Sequence, residues 1–145
     1  MPQTPVRRSG RRTYEALHVG YIRTLRGIDD RHFYCHICGE QNKNLPYWSQ
    51  LDFGDPGFLS FGHEVDLATA AAYFPKDVIM GNINPAVLQT GTPEEVYELT
   101  RKVIEKGKRC PGGFMLAPGC EMPPMAPEEN VWAMMQAVSD FGWYE

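Results

Sequence analysis

No stretch of this 145-residue chain approaches the roughly 18 consecutive apolar residues that a membrane helix needs. Its start carries arginines, Pro, Ser and Gly in place of the apolar segment of a secretory signal. These two absences lead to the expectation of a cytoplasmic protein with no membrane partner. Neither sign of charge dominates: 14 Lys and Arg stand against 18 Asp and Glu, for a net charge of −4. That balance argues against nucleic acid as a partner. Cysteine is sparse, at positions 35, 38, 110 and 120. Two disulfides would need a secreted context. Two cysteines around a histidine, in Cys35-His36-Ile37-Cys38, favour metal or redox chemistry instead. No linker or shift of composition divides the chain. Residues 1–12, with Arg7, Arg8, Arg11 and Arg12, read as a basic, disordered arm, and residues 13–145 as one structural unit.

Within that unit, apolar residues change period repeatedly. Tyr14, Leu17, Tyr21 and Leu25 recur at helical spacing and Gly27 is a natural stop. A strand-like run spans residues 32–38, and residues 44–51 form a weaker helix candidate. Phe58-Leu59-Ser60-Phe61 reads as a second strand, and Asp66 can cap a helix that Pro75 ends. Val78-Ile79-Met80 is a third strand, closed by Gly81-Asn82. The next helix has the clearest start: Thr92 at the cap, Pro93 at the first helical position, and Glu95 completing a capping box. Phe114-Met115-Leu116 is a fourth strand, and the last helix begins at Pro127 with Val131, Met134, Met135 and Val138 on one face. One helix followed by four strand–helix units predicts an α/β fold with a parallel sheet and crossover helices. An eight-stranded barrel needs about 250 residues, so the chain amounts to roughly half of one.

The first strand carries the chemistry. Side chains alternate across a strand, so His32, Tyr34, His36 and Cys38 share one face, while Phe33, Cys35 and Ile37 share the other. His36 and Cys38 can therefore reach one ion, and Cys35 reads as a buried thiol. Cys120 follows the fourth strand in Ala117-Pro118-Gly119-Cys120 and is a plausible third ligand at the same C-terminal strand ends. In a flat sheet the first and fourth strands would lie about 14 Å apart, at about 4.8 Å per strand, so only a strongly curved sheet unites the three. One histidine and two cysteines suit zinc, and three protein ligands leave a fourth position open, as in catalytic sites. Three alternatives remain open on spacing alone: a structural zinc site of all four cysteines, a Cys35–Cys38 redox pair, and free thiols.

Phe33-Tyr34-Cys35-His36-Ile37-Cys38-Gly39 resembles the zinc motif of methylcobalamin:thiol methyltransferases, a branch of the uroporphyrinogen-decarboxylase superfamily. Gly81-Asn82-Ile83-Asn84-Pro85 with residues 91–96, and residues 113–130 with their Ala117-Pro118-Gly119-Cys120 core, are similar to later motifs of that superfamily. The resemblance covers about residues 14–143 in order. It implies the C-terminal half of a TIM (β/α)8 barrel and a zinc ion held by His36, Cys38 and Cys120. It further implies a methyl group moved from methylcobalamin, or from a separate corrinoid protein, to a zinc-activated thiol acceptor. Nothing here corresponds to the first four strand–helix units. The chain is therefore expected to be a fragment or a short protein that pairs with an N-terminal half-barrel or with itself. A non-catalytic half-barrel binding module is the alternative within the same fold.

Further candidates cluster at the predicted site end. Glu64 is a candidate proton acceptor or fourth ligand, and His63, Asn82 and Asn84 are candidate substrate-binding groups. His18 and His32 have no evident chemical role.

Overall fold

The structure is a computed structural model that describes residues 33–144. The basic arm, the expected helix at residues 14–27 and His32 lie outside the described residues. Four strands, β1 (Tyr34–Ile37), β2 (Phe58–Phe61), β3 (Val78–Ile83) and β4 (Phe114–Pro118), form one parallel sheet in the order β1-β2-β3-β4. Between and after them lie α1 (Leu45–Trp48), α2 (Leu67–Tyr73), α3 (Pro85–Thr90), α4 (Pro93–Gly107) and α5 (Glu128–Phe141). Sequential parallel strands joined by helices are half a (β/α)8 barrel, as expected. No helix among the described residues is long and apolar enough to cross a membrane.

The strands hold because their alternate residues are buried under the helices. Leu59, Phe61, Ile79 and Ile83 are all fully buried, with Val96 and Val103 of α4 and Leu67 and Ala70 of α2 in the same core. Burying such a side chain contributes about 1.5–3 kcal/mol each, which outweighs the weak intrinsic preference of four-residue strands. The opposite face of β1 is open, with Tyr34 62% exposed, whereas Ile37 is buried and Cys35 packs against the core. The alternation read from the sequence thus sorts the side chains of β1 correctly.

Several elements differ from expectation: the helix read over residues 44–51 covers only Leu45–Trp48, and β4 runs past Leu116 to Pro118. β3 does not stop at Gly81-Asn82; it runs to Ile83 because Gly81, Asn82 and Ile83 continue the ladder with Leu116, Ala117 and Pro118. Asn82 is thus a strand residue and does not follow the strand. An extra helix, α3, follows at once: Asn84 accepts a hydrogen bond from the Ala86 N–H and Pro85 opens the first turn. The other caps form as read. Asp66 accepts from the Thr69 N–H, and the Thr92–Glu95 capping box is closed in both directions.

Asn130, only 1% exposed, locks α5 to α3 by donating from Nδ2 to the carbonyls of Leu88 at 3.0 Å and Gly91 at 2.8 Å. Replacing it with alanine leaves two carbonyls without their donor in a closed space. A loss of about 2–3 kcal/mol in unfolding free energy is expected in urea titrations, with the sheet otherwise retained. A variant that unfolds at the wild-type midpoint would show that the lock contributes nothing.

Candidate metal centre

The three donors meet at the C-terminal ends of β1 and β4. His36 sits in β1, Cys38 one residue past its end, and Cys120 two residues past β4. Cys38 Sγ lies 3.6 Å from Cys120 Sγ, and one donor atom from each of the three residues falls within 4.8 Å of the others. All three are exposed, so the site is open to incoming molecules.

Glycine contacts pack the loops that carry the two cysteines onto the end of β2. Gly62, just after β2, is buried, and a Cβ there would lie 3.0 Å from the Gly39 carbonyl oxygen. The turn after β1 is therefore packed directly on the end of β2. Gly119 repeats the device from the other side, since a Cβ there would lie 2.6 Å from the His63 backbone nitrogen. The Gly119 N–H donates to the Ile83 carbonyl at 2.7 Å, which carries the β3–β4 ladder one step further. The turns after β1 and β4 are thus both packed against the end of β2 and the loop after it, and the two sulfurs stand 3.6 Å apart rather than the roughly 14 Å of a flat sheet.

Neighbouring groups steady the donors. Gln41 donates from Nε2 to the Cys38 carbonyl at 2.8 Å, while its Oε1 accepts from Trp48 Nε1 and Asn44 Nδ2. His36 Nδ1 is 3.0 Å from Ser60 Oγ, directly across the β1–β2 register. The sequence reading missed both Gln41 and Ser60. A lone polar residue inside the apolar run of β2 was the available sign of the second.

The donor set fits zinc. Zn–S bonds of about 2.3 Å at a tetrahedral angle place two sulfurs about 3.8 Å apart, close to the separation found. The hydrogen bond and charge of Cys120 push the Cys38 thiol above its ordinary range, and the nearby Glu64 carboxylate adds to this. A divalent cation reverses that effect by stabilising both thiolates. Cys35 and Cys110 take no part in the group. Burial raises both thiols, and Cys35 points to the opposite face of β1. A site of all four cysteines is not assembled, and Cys35 and Cys38 do not face each other as a redox pair would.

The remaining candidates share a cavity that none of the three donors lines. His63, Glu64, Asn82 and Asn84 line a cavity of about 380 Å³ that Asp66 and Lys106 also border. His63 Nδ1 is 3.4 Å from Glu64 Oε2. Asn82, buried in β3, donates from Nδ2 to the carbonyls of Gly62 and Val65 and so holds the loop that presents His63 and Glu64. Asn84 uses its side-chain carbonyl to cap α3.

Residues 10–141 match the uroporphyrinogen decarboxylase (URO-D) family. The chain is 33% identical over 107 residues to the methylcobamide:CoM methyltransferase MtbA of Methanosarcina acetivorans, covering 73% of this chain and 29% of that protein. The same enzyme of Methanosarcina mazei is 31% identical over the same shares. The methylcobamide:CoM methyltransferase MtaA of Methanosarcina barkeri is 33% identical over 114 residues, 73% of this chain and 30% of that protein. The chain thus spans less than a third of the length of these relatives. The chain belongs to the uroporphyrinogen decarboxylase family, and its half-barrel is part of that family's (β/α) barrel.

Proposed function

We propose that this chain is the zinc-bearing half-barrel of a methyltransferase that passes a methyl group from a methylated corrinoid to a thiol. One observation carries the reading: His36, Cys38 and Cys120 converge with sulfurs 3.6 Å apart at the open, C-terminal ends of the strands. The relatives named for methylcobamide and CoM support the same chemistry.

His36, Cys38 and Cys120 would hold the ion. When bound, zinc supplies a Lewis acid that lets a thiol lose its proton near neutral pH. The chain's own residues then have distinct tasks. Glu64, whose charge is felt at Cys38, takes the proton released by the incoming thiol, and His63 at 3.4 Å steadies that carboxylate. The cavity they line receives the body of the acceptor, with Asn84 as a polar contact and Asn82 holding the loop that presents His63 and Glu64. A methylated corrinoid, as co-substrate, would supply the methyl group, and the acceptor sulfur presented by these residues would receive it, the bonding pair of the broken carbon–cobalt bond being left with the corrinoid. The corrinoid-facing remainder of the wall belongs to the other half of the barrel, in the same polypeptide or a partner. The edges of β1 and β4, unpaired among the described residues, are where that half would pair.

Cobalt(II) in place of zinc tests the open position without any corrinoid. Adding coenzyme M or homocysteine should strengthen the sulfur-to-metal charge-transfer band and release about one proton per site. A spectrum unchanged by either thiol, with four protein ligands already in place, would overturn the methyltransferase reading.

A further inference from the structure

We propose that Ser60 is a positioning residue for the metal centre: it accepts the Nδ1 proton of His36 and so leaves Nε2 as the nitrogen offered to the ion. The inference rests on the zinc reading and deepens it. His36 and Ser60 are register partners on adjacent parallel strands, and their side chains stand on the same face at 3.0 Å. Ser60 is 2% exposed and is the polar residue of a strand whose neighbours Leu59 and Phe61 are fully buried. Its backbone is fixed by ladders on both sides, to β1 and to β3, so the hydroxyl has little freedom to leave.

An imidazole that binds a metal through one nitrogen carries a proton on the other. A partner for that proton sets both the tautomer and the plane of the ring. His36 is exposed on its metal-facing side and would otherwise turn freely about its side-chain bonds. Ser60 removes that freedom without adding a negative charge. This matters where two thiolates already balance a divalent cation and Glu64 stands near. The assignment also explains why a strand otherwise filled with Phe and Leu carries a hydroxyl at the position opposite the histidine.

The test uses the full chain, with nitrogen-15 labelled histidine and zinc affinity measured by competition against a chromophoric chelator. In the zinc-loaded wild type, His36 should show a metal-bound Nε2 and a slowly exchanging Nδ1 proton. Ser60→Ala should bind zinc about tenfold to a hundredfold more weakly and lose the slow exchange, and Ser60→Thr should restore both. Zinc on Nδ1 in the wild type would overturn the assignment even if Ser60→Ala failed to fold. So would a folded Ser60→Ala that keeps wild-type affinity and the protected proton. A wild type that takes up no zinc is a separate result, and it would remove the zinc reading itself.

Discussion

Alanine at His36, Cys38 or Cys120 should each lower zinc affinity by far more than the tenfold to hundredfold that supporting residues around a metal are worth, since each removes a bond to the ion itself. Alanine at Cys35 or Cys110 should leave affinity within about a factor of two, because neither sulfur belongs to the donor group. The two sets of variants fail differently. Cys110 is 7% exposed and Cys35 packs against the core, so their replacement costs packing and stability with the metal retained. His36, Cys38 and Cys120 are exposed, and their loss should leave the unfolding transition of the metal-free chain nearly unchanged. Chelator competition with each purified variant separates the outcomes. If Cys110→Ala loses zinc as completely as Cys120→Ala, the ion sits among the cysteines as a structural centre and the assignment made here falls.

The donors were legible in the sequence because a strand imposes a two-residue period on its side chains. His36 and Cys38 had to share a face, and Cys35 had to oppose them. The helices were legible where caps announced them, as at Asp66 and Thr92. β3 was read too short because Gly81-Asn82 looks like a turn, whereas pairing with β4 holds both residues in the ladder. The short helix α3 was announced by Asn84-Pro85, a cap followed by a first-turn proline, but Asn84 was read as a candidate substrate contact and not as a cap.

What could not be read was anything that depends on register or loop closure. Ser60 meets His36 only because β1 and β2 align Cys35 with Leu59 and His36 with Ser60; a slip of one residue would turn the hydroxyl to the other face. Asn82 was expected to contact substrate from a loop after β3. Its amide nitrogen in fact reaches back to Gly62 and Val65, where it shapes the loop that carries His63 and Glu64. Asn130 gave no hint of its lock on α3, since its partners are backbone carbonyls 39 and 42 positions away.

Gly119→Ala should damage the metal centre without touching a ligand. Its Cβ would fall 2.6 Å from the His63 nitrogen and 3.2 Å from His63 Cβ. The nearest atom there is backbone, so the loop after β4 must back away from the loop after β2. Cys120 is the next residue, and any retreat of Gly119 carries its sulfur away from Cys38. Separation matters steeply: Zn–S bonds near 2.3 Å tolerate only a few tenths of an ångström, and the sulfurs now stand 3.6 Å apart. Zinc affinity should fall about tenfold to a hundredfold, and overpacking should cost about 1–3 kcal/mol of stability. Cobalt(II) spectra should show a weakened thiolate band, because one of the two sulfurs is pulled off its position. Glu121→Ala is the matched control. It alters an exposed side chain on the other side of Cys120 and should leave affinity and spectrum unchanged. Wild-type affinity in Gly119→Ala would mean that Cys120 reaches the ion by its own flexibility, and the packing of Gly119 on His63 would then have no part in forming the site.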